Sequence, residues 1–198
     1  MTEIDPSTAD IRRSARSFRL KKTVALVGMM GAGKTAVGRA VALRLGVPFL
    51  DSDAEIEAAA NLSVPEIFQR DGEVFFRKRE AEVIRRLLES YSGILSTGGG
   101  AYLAQINRDN ISRAGVALWL DADLQLLWNR VRHKDTRPLL RTQNPRATLA
   151  QIFAARTPIY QLAELRVACA PDLSIDAMAE RVIATLLTRS DVLEQLND

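Results

Sequence analysis

Cysteine is nearly absent from this sequence, because Cys169 is the only one among 198 residues. A single cysteine cannot form a disulfide within the chain, and alone it does not make a metal cluster. The chain also lacks an apolar run of about 20 residues, the length that a membrane-spanning helix requires. Its polar, acidic start, MTEIDPSTAD, has no apolar region behind it, which argues against a secretory signal. We therefore expect a cytoplasmic protein with no membrane partner.

Most of the chain has no excess of positive or negative charge. The formal net charge is +3, from 27 basic and 24 acidic residues. Residues 1–22 hold six of the basic and three of the acidic side chains, so the remaining residues carry 21 of each sign. We interpret 1–22 as a flexible, solvated basic extension and 23–198 as a single domain. Contact of the extension with an anionic partner is the alternative, and we expect no nucleic-acid partner.

Short apolar runs alternate with helical patterns along the domain. Five runs are typical of strands covered on both faces of a parallel sheet: TVALV (23–27), VPFL (47–50), GILST (93–97), VALWL (116–120) and LRVAC (165–169). This alternation predicts a doubly wound α/β fold. Two Ser-x-x-Glu patterns, at Ser52/Glu55 and Ser63/Glu66, predict capping boxes at helix starts. The segment 132–148 is rich in charge and turn residues, which predicts a mobile loop.

The most specific motif is GMMGAGKT, from Gly28 to Thr35, which lies between the first run and a helical pattern. Its glycines let the backbone N–H groups form a nest for phosphate together with the helix N-terminus. Lys34 could reach the β- and γ-phosphates of a nucleotide, and the Thr35 hydroxyl could ligate Mg²⁺. The motif therefore predicts nucleotide binding.

Candidate acceptor residues follow the second and third runs. If the chain stays extended through FLDSD, Asp51 and Asp53 point the same way, so that one could hold the metal's water and the other could accept a proton. The alternative is that Ser52 or Asp53 only caps the next helix. Three successive glycines in STGGG suggest close approach of the backbone to a ligand, or else a plain loop.

Three arginines could neutralise anionic groups. Arg77 lies early in a helical pattern, where it gains nothing from the helix dipole. Arg137 lies in the predicted loop, and Arg156 lies in the helical pattern that follows it. Arginine suits phosphate and carboxylate through its planar fork. The alternative for each of these residues, taken singly, is a solvated surface charge.

Together the segments GMMGAGKT, LDSD, IFQRDGEVFFRKRE, STGGG, RPLL and RTPIY resemble the shikimate kinase family, over about residues 22–190. The resemblance implies a three-layer P-loop fold with a five-stranded parallel sheet flanked by helices. It also implies a substrate-binding lobe at about 53–81 and a mobile lid at about 132–147. The implied reaction is ATP-dependent phosphorylation of shikimate, with Mg²⁺ as cofactor, ATP and shikimate as small-molecule partners, and a monomeric enzyme.

The resemblance also implies roles for individual residues. The catalytic set is Asp53, Lys34 and Arg137, and the metal site is Thr35 with Asp51, directly or through water. The implied ATP contacts are Gly31, Ala32, Gly33, Lys34, Thr35, Ala36, Arg130 and Arg137. The implied shikimate contacts are Asp53, Phe68, Phe76, Arg77, Gly98, Gly99, Gly100 and Arg156. The loop at about 170–174 would complete the adenine site.

Two other interpretations stay open at this stage. A small-molecule kinase for gluconate or a nucleoside monophosphate would be expected to lack the Arg77/Arg156 pair or the triple glycine. A nucleotide-binding switch without catalysis would be expected to lack the acceptor-side acids and the lid arginine.

Overall fold

The computed structural model describes residues 17–133 and 138–196. In these ranges the strands are β1 (Ser17–Leu20), β2 (Thr23–Val27), β3 (Phe49–Asp51), β4 (Ile94–Ser96), β5 (Gly115–Asp121), β6 (Leu165–Ala168) and β7 (Leu193–Leu196). The helices are α1 (Lys34–Leu45), α2 (Ser52–Ala60), α3 (Val64–Ser90), α4 (Gln105–Ala114), α5 (Leu124–Val131), α6 (Pro145–Tyr160) and α7 (Ile175–Leu187). Short 3-10 turns cover Ala101–Leu103 and Pro138–Leu140.

Five of the strands form a parallel sheet in the order β3-β4-β2-β5-β6. The sheet is flanked by helices, with α1 packed on α7 and α3 packed on α4. All five residues of β2 are buried, as a central strand covered on both faces requires. The predicted α/β fold with a five-stranded parallel sheet is therefore confirmed.

The ends of α1 show how the sequence sets helix boundaries. The helix begins after Gly33 and ends at Gly46, and both glycines have left-handed backbone angles. At the end, the Gly46 N–H donates to the carbonyls of Ala42 and Leu43, which satisfies groups that would otherwise lack partners. Gly33 turns the phosphate-loop segment directly into the helix N-terminus.

One of the two predicted capping boxes is present. The Ser63 N–H donates to the Glu66 carboxylate over 2.7 Å at the start of α3. The box at Ser52/Glu55 is wrong, because Asp51 is the N-cap of α2 and its carboxylate accepts from the Asp53 N–H. Ser52 is instead fully buried. The helix α3 is interrupted by a kink at Gly72, whose backbone is not helical (φ 83°, ψ 168°), so it comprises two helical segments.

The prediction that residues 1–22 form a flexible extension is wrong for the last part of that range. Ser17–Leu20 forms β1, which pairs antiparallel with β7 near the other end of the chain. Two ion pairs flank this ribbon, from Lys21 to Glu194 at 3.0 Å and from Lys22 to Asp191 at 2.8 Å. Residues 1–16 lie outside the described residues. No helix in the described ranges is long and apolar enough to cross a membrane.

The ribbon gives a prediction about stability. A truncation that removes residues 1–20 is expected to lower the melting temperature by about 4–8 °C. Phe18 and Leu20 pack against the main core, and their partial burial stabilises by about 2 kcal/mol. Calorimetry should show that a matched truncation of residues 1–16, which keeps β1, melts close to the full chain. Equal melting temperatures for both truncations would show that β1 adds no stability.

Candidate active site

The carboxyl ends of three adjacent strands meet at one edge of the sheet. The strand β2 leads into the segment 28–35, β3 ends at Asp51, and β4 leads into the triple glycine. Ligands bind at such an edge in open α/β sheets, where the strand order reverses. The fold thus brings the predicted donor and acceptor segments together.

The segment from Gly28 to Thr35 (the phosphate loop) adopts a conformation that only its glycines allow readily. Gly28, Gly31 and Gly33 have φ angles of 134°, 85° and 101°. The Lys34 side chain is buried, and its ammonium donates to the carbonyls of Gly28 at 2.8 Å and Met29 at 3.1 Å. The loop ends on the N-terminus of α1, so its N–H groups and the helix dipole favour an anion there.

The Thr35 hydroxyl lies beside two oxygen groups. It donates to Asp51 Oδ2 over 3.0 Å and lies 3.3 Å from Ser96 Oγ, a residue that the sequence did not single out. Hydroxyl and carboxylate oxygens are ligands that suit Mg²⁺, which usually completes its octahedron with phosphate oxygens and water. Within the described ranges, no three His, Cys, Asp or Glu side chains form a metal-binding group. The donor set therefore fits Mg²⁺ delivered with a nucleotide.

Asp53 is the most unusual acid at this edge. Its Oδ1 is buried without a hydrogen-bond partner among the described residues. Burial raises the pKa of Asp53, the Asp51 charge raises it further, and Lys34 opposes the shift. A buried, unpartnered carboxylate oxygen costs stability, so its retention points to a ligand group that pairs with it.

Arg77 is held by acids and aromatic rings. It forms ion pairs with buried Glu80 at 2.9 Å and with exposed Glu73 at 3.2 Å. Its guanidinium also lies 5.9 Å from the ring centre of Phe68 and 5.3 Å from that of Phe76. The pKa of Glu80 is raised by burial, against the opposing charge of Arg77. These contacts fix Arg77 at the edge of the cleft.

The two predicted pocket aromatics lie together. The ring centres of Phe68 and Phe76 are 4.6 Å apart. Phe76 is buried in a small cluster with Ile56 and Ile67, and Phe68 packs against that cluster from a less buried position. The aromatic pair thus joins the lobe's own small core to the side chain of Arg77.

The triple glycine, Gly98–Gly100 (the glycine turn), contacts most of the acceptor-side residues. A Cβ on Gly98 would lie 2.6 Å from Asp53 Oδ1, and one on Gly100 would lie 2.7 Å from an Arg77 nitrogen. The Gly98 N–H donates to Ser52 Oγ over 3.2 Å. Arg156 donates to the Gly99 carbonyl at 3.4 Å. The absent side chains are therefore what allows Asp53 and Arg77 to approach.

Sequence reasoning missed several residues at this site. Glu80 and Ser52 are buried polar residues that hold Arg77 and the glycine turn. Tyr160 donates its hydroxyl to the Gly99 carbonyl. The one available signal was its spacing, because Tyr160 follows Arg156 by four residues on the same helix face.

Two further residues that the sequence predicted for the nucleotide side are Arg130 and Arg137. Arg130 donates to the carbonyls of Gly31 at 3.3 Å and Ala32 at 3.1 Å. The Cys169 thiol lies 3.9 Å from the Ala32 carbonyl, and burial raises its pKa to about 11, which keeps it a thiol at neutral pH. Arg137 lies outside the described residues. The predicted lid range 132–147 overlaps α6, which begins at Pro145.

Comparisons with known proteins identify relatives of this chain. The family model described as shikimate kinase matches residues 30–187. A shikimate kinase of Ruegeria pomeroyi is 67% identical over 175 residues, covering 88% of this chain and 90% of its own length. One of Cereibacter sphaeroides is 59% identical, covering 89% and 88%. A solved shikimate kinase from Acinetobacter baumannii in complex with shikimate superposes with a TM-score of 0.80 at 35% identity, covering 85% of this chain and 94% of its own.

The matched region includes the phosphate loop from Met30 onward, the acceptor-side acids and Arg156. The relatives match over nearly their whole length, so the resemblance extends well beyond a shared nucleotide-binding motif. The chain belongs to the shikimate kinase family.

Proposed function

We propose that this chain transfers the γ-phosphoryl group of ATP to the 3-hydroxyl of shikimate, a step of chorismate and aromatic amino-acid synthesis. The convergence of Asp53, Arg77 and Arg156 on the glycine turn, beside the phosphate loop, is the observation that carries the proposal. An acceptor that bears hydroxyls and a carboxylate explains why an acid and two arginines share one cleft. The solved relative in complex with shikimate supports that acceptor.

ATP is proposed to place its phosphates on the phosphate loop. Backbone N–H groups from Gly31 to Ala36 line that loop and the start of α1. Lys34, whose ammonium now donates to two loop carbonyls, would turn its charge toward the β- and γ-phosphates. Arg130 would lie along the nucleotide, and Arg137 is proposed to reach the phosphates from the lid when it closes.

Thr35 and Asp51 are proposed to hold Mg²⁺, directly or through its water shell. Their oxygens already lie 3.0 Å apart, and Ser96 borders the same point. Bound there with the nucleotide, the ion would neutralise charge on the β- and γ-phosphates. The oxygen-only donor set is the reason for preferring Mg²⁺ to a softer metal.

The shikimate carboxylate is proposed to bind between Arg77 and Arg156. Both lie against the glycine turn, near Gly100 and Gly99 respectively. Phe68 and Phe76 would form the wall behind Arg77, and backbone groups of Gly98–Gly100 would contact the ring. Two arginines acting on one carboxylate fix the acceptor's orientation, which is most of what phosphoryl transfer requires of a protein.

Asp53 is proposed to hold the acceptor hydroxyl and to accept its proton. The hydroxyl oxygen forms the new bond to the γ-phosphorus, the bond from that phosphorus to the β-γ bridging oxygen breaks, and ADP leaves. The raised pKa of Asp53 makes it a better proton acceptor than an exposed aspartate. Lys34 and Arg137 would stabilise the charge on the transferring group.

The remaining proposals concern setting and assembly. A single cysteine fits a reducing compartment, and we place the enzyme in the cytoplasm as a monomer, without a nucleic-acid or membrane partner. Light scattering of the purified chain would test the monomer directly.

Turnover with a panel of acceptors tests the proposed function. In a coupled ADP-release assay with ATP and Mg²⁺, shikimate is expected to support turnover at least about 100-fold faster than gluconate or a nucleoside monophosphate. The ring of shikimate fixes its carboxylate relative to its hydroxyls, whereas gluconate is an acyclic, flexible polyol carboxylate and a nucleoside monophosphate has no carboxylate. Quinate, which shares the carboxylate and ring hydroxyls, serves as the close analogue. Absence of shikimate-dependent ADP release would overturn the assignment.

A further inference from the structure

The glycine turn lies between two parts of the active site that must be held at a fixed separation. On one side, a Cβ on Gly99 would lie 3.4 Å from the Met30 backbone nitrogen in the phosphate loop. On the other side, the Gly99 carbonyl accepts hydrogen bonds from Arg156 and Tyr160 of α6. Gly99 is thus in contact with the donor side and with the helix that follows the lid.

We infer that the Tyr160 hydroxyl is a positioning group for the reaction, because it fixes the glycine turn against the phosphate loop through the Gly99 carbonyl. The inference rests on the proposed function and adds a positioning residue to it. Tyr160 acts through Gly99, and Gly99 lies between the two glycines whose missing side chains admit Asp53 and Arg77.

The surroundings of Tyr160 make it a rigid anchor. Its side chain is 1% exposed, and its ring stacks on Trp119 of β5 with the ring centres 6.3 Å apart. Burial raises the pKa of Tyr160, against the opposing charge of Arg156, so the hydroxyl keeps its proton and remains a donor. A buried tyrosine with one satisfied hydroxyl has little freedom to move.

Arg156 does not duplicate this role. Its hydrogen bond to the Gly99 carbonyl is long, at 3.4 Å, and its charge is proposed to serve the shikimate carboxylate. When that carboxylate binds, the guanidinium can shift toward it, and the Tyr160 hydroxyl alone continues to hold the Gly99 carbonyl. The two side chains therefore share an acceptor but differ in function.

The last turn of α6, which carries Tyr160, is held by local contacts. Pro158 interrupts the hydrogen-bond pattern of α6, and Thr157 donates its hydroxyl to the Phe153 carbonyl over 2.7 Å within the same turn. The last turn is thereby fixed locally, and the Tyr160 contact fixes it to the sheet edge. Movement at the start of α6, which adjoins the predicted lid, therefore need not displace the glycine turn.

The test compares two variants of Tyr160 with a control tyrosine. Tyr160→Phe removes only the hydroxyl, Tyr160→Leu removes the ring as well, and Tyr102→Phe removes the hydroxyl of another buried tyrosine. We expect Tyr160→Phe to lower kcat/KM for shikimate about tenfold, with KM for ATP and the melting temperature nearly unchanged, since small displacements of reacting groups slow transfer. Tyr102→Phe should leave kinetics unchanged.

Hydrogen exchange gives a readout that does not depend on the acceptor. In the ligand-free protein, amides of Gly98–Ala101 should exchange faster in Tyr160→Phe than in wild type or Tyr102→Phe. Unchanged kinetics and exchange in Tyr160→Phe, with loss of stability only in Tyr160→Leu, would show that the ring serves packing alone and would overturn the inference. Lack of shikimate turnover in the wild type would instead overturn the proposed function, and the exchange result would still decide the anchoring.

Discussion

Replacement of Asp53 by asparagine is expected to lower kcat with shikimate by a factor on the order of 10³, because the amide cannot accept the hydroxyl proton. The phosphate loop and Lys34 contact the nucleotide independently of this side chain, so ATP binding should persist. Isothermal titration with ATP alone, beside steady-state kinetics, separates the two effects. Asp109→Asn, which changes an exposed acid that accepts a hydrogen bond from Gln105 over 2.6 Å, is the matched control and should behave like wild type.

Replacement of Asp53 by asparagine is also expected to affect stability. Burial raises the folded-state pKa of Asp53 above the ordinary value of an aspartate, so the folded protein binds this proton more tightly than the unfolded chain does. The protonated Asp53 side chain therefore stabilises the folded state at low pH, and this contribution is lost as the pH rises through the folded-state pKa. At a pH above the folded-state pKa the ionised group costs stability, so Asp53→Asn should melt no lower than wild type there. A folded, nucleotide-binding variant that keeps wild-type turnover would show that Asp53 is not the essential acid.

Gly98→Ala is expected to lower kcat/KM for shikimate by about 100-fold while the protein stays folded. The new methyl would lie 2.6 Å from Asp53 Oδ1, and a carboxylate at the end of a side chain can move away. That movement displaces the acid from the acceptor hydroxyl, and a misplacement of about 1 Å can cost this much in rate. Steady-state kinetics with each substrate varied should place the loss on shikimate and leave KM for ATP close to wild type.

Gly46→Ala is a control that is expected to lower stability without affecting activity. No atom lies within 4 Å of its added Cβ, but its φ of +64° is strained for a side-chain-bearing residue. It should lower stability by about 1 kcal/mol and leave the kinetics unchanged, because Gly46 lies at the end of α1 opposite to the phosphate loop. If Gly98→Ala instead lost stability and kept its activity, close contact between the glycine turn and Asp53 would have no catalytic role.

The sheet and the phosphate loop could be predicted because their signals are local. Five apolar runs correspond to the five parallel strands, and GMMGAGKT contains both the glycines and the lysine that its geometry uses. The strand β1 could not be found in this way. Its partner lies at the other end of the chain, and SFRL carries an arginine that obscured its strand character.

Within the site, the sequence indicated several candidate site residues but not the residues that hold them in place. Arg77 could be singled out, but the sequence of its helix contains several acids and does not show that Glu80 is the buried one. Ser52 matched a capping box, yet the cap is Asp51, because Ser52 turns inward to accept from the Gly98 N–H. Such contacts depend on which face of each element packs inward, which tertiary structure decides.

We propose that shikimate receives the phosphoryl group at its 3-hydroxyl. The most direct measurement is phosphorus NMR of a reaction containing the protein, ATP, Mg²⁺ and shikimate. We expect ADP to appear together with one phosphate monoester whose phosphorus couples to the proton on carbon 3 of the ring. ADP without a phosphorylated ring, or an ester at another hydroxyl, would contradict it.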